Sequence, residues 1–306
     1  MKLLIASSSL LAIPLFTEIE RSSKHQILGV LTNPDKPTGR GQKIESNELA
    51  LWATKKNYPT YKPSNSVEIE SVISELKPDL VITMAFGQLI KHNELIVPKY
   101  GWINIHFSVL PKWRGAAPVQ HAILQGENQT GVTIFKLDEG MDTGPVYASK
   151  SVSINSNEST HEVLERLSVV GAEMTIEVLD LVESGVEPTP QASSGSSMAP
   201  KIKKSDGKIN WSLTTSEIHN RFRALSDNPG VWCLFGDQRL KIDGLRITYL
   251  PTQLTPGQVE IEKEKLIVGT KDGAIELLQV TPSGRNSMTV AEFIRGLSVR
   301  DGLYLG

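Results

Sequence analysis

Asn104, His106 and Ser108 alternate along Asn104-Ile105-His106-Phe107-Ser108, and a strand with its two-residue period turns all three to one side. Val109-Leu110-Pro111-Lys112-Trp113-Arg114-Gly115-Ala116-Ala117-Pro118 follows at the strand's carboxyl end. A second strand, read at 131–137, runs into Asp138-Glu139-Gly140-Met141-Asp142-Thr143-Gly144, a glycine-flanked loop that can aim Asp142 at the same cleft. Taken singly, each residue has an ordinary structural reading: Asn104 and His106 satisfy backbone groups at a strand end, and Asp142 caps a turn. Together they suit attack on a carbonyl. The amide and the imidazole would donate to the oxygen that gains negative charge, and the carboxylate would act as base, proton relay or orienter of the ring.

The elements that must position these groups follow a regular order. The pattern predicts a strand at 3–5, a helix at 10–22, a strand at 27–31, a charged loop at 32–43 and a helix at 48–56. An extended piece at 58–62, a helix at 68–76, strands at 80–84 and 103–106 and a helix at 120–124 come next. Strands apolar on both faces that alternate with helices indicate a doubly wound α/β sheet, whose ligands bind beyond the carboxyl ends of the strands. The uncharged run from Leu3 to Phe16 is interrupted by Ser7-Ser8-Ser9 and Pro14. It continues into Thr17-Glu18-Ile19-Glu20-Arg21 without a small-x-small cleavage pattern, so it reads as strand, turn and helix and not as a signal peptide. No apolar run approaches the ~18 residues of a spanning helix. The expectation is a cytoplasmic protein with no membrane contact.

A long helix at 161–182 precedes Glu187-Pro188-Thr189-Pro190 and Ser193-Ser194-Gly195-Ser196-Ser197, a composition typical of a linker. Beyond it come a helix at 215–225 and short strands at 231–235, 240–242, 266–268 and 274–280, with Asp243-Gly244 and Asp272-Gly273 as turn signals. That spacing suits a small β-barrel of the oligonucleotide-binding kind. The expected division is a catalytic domain at 1–187, a linker at 188–208 and a barrel domain at 209–306.

Composition narrows the chemistry. The chain has 306 residues, 39% hydrophobic and 22% charged, with a formal net charge of −2 and one cysteine, which excludes disorder, collagen and a disulfide framework. Gly39-Arg40-Gly41 begins like a dinucleotide fingerprint but has Ile44 where the third glycine belongs, and there is no phosphate-binding Walker loop. The six histidines offer no helical i,i+4 metal pair, so no metal is expected. Ser7-Ser8-Ser9 is not a nucleophile elbow. Trp52, Trp211 and Trp232 have apolar neighbours and are expected in the core, as is Cys233.

The string Asn104-Ile105-His106-Phe107-Ser108-Val109-Leu110-Pro111 with Asp142 resembles the folate-dependent formyltransferases. Two further strings, Arg114-Gly115-Ala116-Ala117-Pro118 and Thr32-Asn33-Pro34-Asp35-Lys36-Pro37-Thr38-Gly39-Arg40-Gly41-Gln42-Lys43, resemble the branch of that family whose acceptor is a tRNA. So do Lys208-Ile209-Asn210-Trp211 and Thr281-Pro282-Ser283-Gly284-Arg285, and the resemblance covers nearly the whole chain. It departs at Ser7-Ser8-Ser9, where the family has Gly-Thr-Pro, and at Val109, where the family has Leu. Neither departure removes a catalytic side chain.

The resemblance implies a Rossmann-like formyltransferase domain followed by an OB-like β-barrel. It also implies transfer of a formyl group from 10-formyltetrahydrofolate, as co-substrate, to the α-amino group of methionine on initiator methionyl-tRNA, for translation initiation. Asn104, His106 and Asp142 would be catalytic, and Ser108, Val109, Leu110 and Pro111 would hold the folate. The basic residues Lys36, Arg40 and Lys43 in the first loop, with Lys201, Lys203 and Lys204 before the barrel, would meet tRNA phosphates. Each cluster alone also reads as an ordinary solvated charged segment. Two rivals remain open: a formyltransferase for a small amine such as glycinamide ribonucleotide or an amino-sugar nucleotide, and a catalytically dead tRNA-binding module. With no coiled-coil pattern, a monomer is expected.

Overall fold

A computed structural model describes residues 1–38, 41–248 and 253–306. They form two compact units. One comprises Met1–Pro118, Gln129–Ser153 and Leu164–Pro200; the other comprises Val119–Asn128, Ile154–Val163 and Lys201–Gly306.

In chain order the first elements are β1 (Lys2–Ser7), α1 (Ile13–Ser22), β2 (Gln26–Leu31), β3 (Lys36–Thr38), β4 (Lys43–Glu45), α2 (Glu48–Lys55), β5 (Thr60–Tyr61), α3 (Ser66–Leu76), β6 (Leu80–Met84) and α4 (His92–Ile96). Next come β7 (Trp102–His106), α5 (Pro118–Leu124), β8 (Gln129–Lys136), β9 (Val146–Ser153) and α6 (Thr160–Glu183). One sheet runs β5-β2-β1-β6-β7-β8-β9. Its first five strands are parallel, and β8 and β9 are antiparallel to their neighbours. The chain winds outward from β1 to β5 and then returns to the other flank of β1, which places the topological switch point between β1 and β6.

The central strands are buried on both faces, with Leu3, Leu4, Ile5, Ala6, Val81 and Ile82 fully inaccessible. One face packs Leu4, Ala6, Val81 and Trp102 against Ile69 and Ile73 of α3. Trp102 is fully buried, and its indole N–H donates to the Glu94 carbonyl at 2.8 Å. On the other face α6 approaches β7 closely: a methyl group on Gly171 would lie 2.7 Å from Cγ2 of Ile105, so the contact requires a residue without a side chain. The stretch read as a charged loop at 32–43 contains one arm of the two-stranded β3–β4 hairpin, in which Lys36 faces Glu45 and Thr38 faces Lys43.

The second unit holds α7 (Thr215–Leu225), β10 (Val231–Phe235), β11 (Gln238–Thr248), β12 (Val259–Glu262), β13 (Lys265–Gly269), β14 (Ala274–Pro282), β15 (Met288–Thr289) and α8 (Val290–Arg295). The strand order is β10-β11-β14-β13-β12, with β15 on β14. Residues 303–306 bridge the two outer strands. Leu234 and Gly306 exchange backbone hydrogen bonds beside β10, while Val259 N–H donates to Leu303 and Leu305 N–H to Gly257 beside β12. Through these bonds the carboxyl-terminal residues link both outer strands and close the antiparallel sheet into a small barrel, as the strand spacing predicts.

Three sequence expectations change here. Asp243-Gly244 does not end a strand. It is a bulge inside β11, where the register against β14 shifts on both sides of Gly244, because pairing along the long β14 absorbs the extra residue that would otherwise make a turn. Trp232 is half-buried rather than core, with the Arg239 guanidinium 4.3 Å and the Lys208 ammonium 5.9 Å from its ring centroid. Trp52 is also only half-buried, packed on Phe16 and Tyr58. Trp211 and Cys233 are buried as expected, and burial pushes the Cys233 thiol up to about 12.

Candidate active site

The last residues of β7 carry the predicted constellation. Cross-strand partners share a face, and the pairs Thr83–Asn104, Asn104–Phe135 and His106–Thr133 assemble that face from three strands. The Thr83 hydroxyl donates to Oδ1 of Asn104 at 2.6 Å. This fixes the carboxamide and leaves Nδ2, with its two N–H bonds, as the donating end.

His106 is 5% exposed, its ring edge-on to Phe135 with centroids 6.3 Å apart. Nε2 lies 2.9 Å from the Trp113 carbonyl. A carbonyl only accepts, so Nε2 carries a hydrogen and, in the neutral ring, Nδ1 is the lone pair. Nδ1 faces Oδ2 of Asp142 at 3.7 Å. The same Oδ2 accepts from the Gly115 N–H at 2.7 Å. Burial holds the His106 pKa below its ordinary value of 6.5, against the opposing influence of the Asp142 charge and of the Trp113 carbonyl. The ring is therefore neutral at neutral pH, with a basic nitrogen aimed at a carboxylate that stabilises any proton it receives. Its one N–H is taken by the Trp113 carbonyl, so the expected donation from the imidazole to a developing oxyanion gives way to a proton-accepting role.

In a proton NMR titration the His106 ring should show a midpoint below 6.5. In Asp142→Asn the midpoint should move lower still, since a charge that favours the imidazolium is removed. A midpoint unchanged or raised in that variant would exclude the pairing. The linked stability follows the same sign. Because the folded state binds this proton less readily than the unfolded chain, stability is lost as pH falls from about 6.5 toward the folded value.

The register of β8 shows how Asp142 arrives. His106 pairs with Thr133 and Ile103 with Lys136, so β8 ends beside the start of β7 and the loop at 138–145 must double back to reach His106. Its shape is internally braced: Oδ1 of Asp138 accepts from the Gly140 N–H at 3.0 Å and the Thr143 hydroxyl at 2.7 Å. Asp142 has φ 51° and Trp113 φ 61°. Both side-chain-bearing residues are thus held in the left-handed region, at a cost of order 1 kcal/mol or more each, and both make direct contact with the His106 ring or approach it.

The loop after β7 is held from β8. The Thr133 hydroxyl donates to the Ser108 carbonyl at 2.7 Å and accepts from the Leu110 N–H at 3.1 Å. The Ser108 side chain is buried and turned onto the Lys112 carbonyl at 2.5 Å, where it closes the turn. Val109 and Pro111 are half-buried and Leu110 is 8% exposed. A short apolar wall of fixed backbone therefore stands beside the polar groups, the combination usual in small-molecule sites.

The segment 188–200, read as the start of a linker, packs within the first unit. The Val146 and Thr189 backbones exchange hydrogen bonds of 2.7 and 2.9 Å, and the Trp113 N–H donates to Oγ of Ser197 at 2.9 Å. Among the basic residues, Lys36 and Lys43 are exposed on β3 and β4, and the register puts them on one face of that ribbon. Arg40 lies outside the described residues. Lys201, Lys203 and Lys204 are exposed at the start of the second unit's last segment. The structure thus joins Asn104, His106, Asp142 and the 108–111 loop into one site, with the basic residues on two other segments. Sequence reading missed Thr83, Thr133, Gly115 and the Trp113 carbonyl. These act through backbone atoms or as partners across strands, and only strand register could have flagged them.

A doubly wound sheet with this Asn, His and Asp gathered at the carboxyl end of an inner strand, joined to an antiparallel barrel, defines a class. Residues 1–179 match the formyl transferase family and residues 201–298 match the formyl transferase C-terminal domain. The chain belongs to the formyl transferase family. It is 35% identical over 305 residues to the methionyl-tRNA formyltransferase of Salinispora tropica, covering 99% of each chain. Among solved structures, its fold is similar to that of an N-formyltransferase from Helicobacter canadensis in complex with folinic acid and dTDP-3-aminofucose. That likeness has a TM-score of 0.68 at 22% identity, over 92% of this chain and 100% of the other. The methionyl-tRNA formyltransferase from Clostridium thermocellum gives a TM-score of 0.60 at 16% identity, over 92% and 98%.

Proposed function

We propose that this chain transfers the formyl group of 10-formyltetrahydrofolate to the α-amino group of methionine on initiator methionyl-tRNA. The observation that carries this reading is end-to-end similarity to a methionyl-tRNA formyltransferase, including the carboxyl-terminal domain. The folate, when bound, supplies an activated formyl carbon on nitrogen; Ser108, Val109, Leu110 and Pro111 would hold it, with Ser108 bracing the loop from within.

Asn104 holds the negative charge that grows on the formyl oxygen as the amine attacks, through Nδ2. His106 takes the proton that the amine releases at Nδ1, Asp142 stabilises the resulting imidazolium, and the imidazolium returns that proton to the folate nitrogen as its bond to the formyl carbon breaks, so carboxylate and ring work as one proton relay. No covalent enzyme intermediate is needed. We read the catalytic domain as 1–187, the connection as 188–208, of which the part up to Pro200 packs with the first unit, and the tRNA-binding barrel as 209–306, acting as a cytoplasmic monomer. Among the described residues, no helix is long and apolar enough to cross a membrane.

The deciding assay offers methionyl initiator tRNA, methionyl elongator tRNA, glycinamide ribonucleotide and an amino-sugar nucleotide as parallel acceptors. Selective formylation of the initiator is expected. Transfer to a small amine alone would keep the folate site and discard the tRNA acceptor, and tRNA binding without transfer would leave only a binding module.

Lys36, Arg40 and Lys43 are assigned to acceptor-stem phosphates, with Lys201, Lys203 and Lys204 as a second contact. The variant Lys36→Ala/Lys43→Ala should raise KM for tRNA while leaving KM for folate within about twofold. Each lost phosphate contact should reduce the salt slope of tRNA affinity by about one. An equal loss of folate and tRNA use would mean a displaced hairpin, and an unchanged salt slope would remove the assignment.

A further inference from the structure

Gln191 lies in the stretch whose sequence reads only as linker, yet its carboxamide touches both loops that define the site. Nε2 donates to the Asp142 carbonyl and to the Gly144 carbonyl, each at 2.8 Å. Oε1 accepts from Nε and an Nη of Arg114, at 3.2 and 2.7 Å. Arg114 precedes Gly115, whose N–H holds the Asp142 carboxylate. One half-buried side chain thus fixes the backbone carbonyl of Asp142 and the residue beside the group that grips its carboxylate.

The arrangement answers a physical need. Asp142 sits at φ 51°, a conformation that a side-chain-bearing residue holds only where surroundings over-determine it. The braces from Asp138 secure Gly140 and Thr143 but not the Asp142 carbonyl. Gln191 supplies that restraint, and the neighbouring Thr189–Val146 pairing fixes where Gln191 itself stands.

We propose that Gln191 is a positioning residue that sets Asp142 against His106, so that the segment after the long helix is a working part of the site. This rests on the reading of Asn104, His106 and Asp142 given above. Gln191→Glu is the discriminating variant, since a carboxylate keeps the size and the Arg114 contact but cannot donate to either carbonyl.

The experiment measures formyl transfer for the full-length wild type, Gln191→Ala, Gln191→Glu, Asp142→Ala and the Asp142→Ala/Gln191→Ala double variant, with melting curves for each. Both Gln191 variants are expected to lose about 10- to 100-fold in kcat, with KM for folate and tRNA nearly unchanged, and to displace the acid limb of the kcat profile. In the Asp142→Ala background the Gln191→Ala loss should vanish, because nothing remains to position. Wild-type kcat in folded Gln191→Glu would overturn the proposal, as would the same fold-loss with and without Asp142. If Asp142→Ala itself were fully active, the reading of the site would fall instead, so the two failures are distinct.

Discussion

Replacing Asn104 by alanine should lower kcat by about 10²- to 10³-fold, the usual cost of one donor to a developing oxyanion, with little change in KM or in the melting temperature. The loss should be specific to the amide. The Thr83 hydroxyl that now donates to Oδ1 can turn to the Ile103 carbonyl, 3.3 Å away, so no buried donor is orphaned and the fold has no reason to weaken. Asp142→Ala should be comparably slow for another reason, since it leaves the imidazolium of His106 without its counter-charge in a buried site. The two variants differ in pH behaviour: Asn104→Ala keeps the wild-type acid limb and Asp142→Ala does not. Steady-state kinetics across pH on folded protein make the check. Near-normal turnover of either variant would take that residue out of the chemistry.

Trp102→Ala should be the most destabilising single substitution near the site, by about 3–5 kcal/mol. The indole is fully buried among Leu4, Val81, Ile69 and Ile73, and its removal also deprives the Glu94 carbonyl of a partner. Trp102 begins the strand that ends in Asn104 and His106, so the damage propagates along β7 to the reacting groups. Chemical unfolding of the two proteins measures the loss directly. A cost below about 1 kcal/mol would mean that the cavity closes by rearrangement of α3, and the packing account would be wrong.

The most legible parts of this molecule were those in which one side-chain pattern decides the outcome. The apolar runs Leu80–Met84 and Val231–Phe235 predict strands at the observed bounds, because continuous apolar runs of that length have few other uses. Asn104, His106 and Asp142 stood out by their types and by the loops that carry them, and through these a family resemblance was visible as well. β9 carries no sequence signal, because an edge strand such as Val146–Ser153 exposes Lys150, Ser151 and Ser153 and has no apolar run to announce it. Asp243-Gly244 misled, since a turn dipeptide becomes a bulge when a long partner strand continues past it. Gln191 was hidden most deeply. Its role depends on carbonyls and an arginine 47 to 77 positions away, and a polar residue in a Ser/Pro-rich stretch has no local signature of such a task.

The loop at 138–145 leaves β8 at the far end of β7 and returns along the sheet to deliver Asp142. A side chain delivered in this way is metered by residue count. One inserted residue adds up to 3.8 Å of chain, more than the 3.7 Å that separates Asp142 from His106, and one deleted residue removes the same reach. The loop is therefore a measuring tape within an otherwise permissive surface. Over evolutionary drift it should keep its length while its exposed residues, such as Glu139 and Met141, change freely. In library design it is the loop to randomise in composition and never in length.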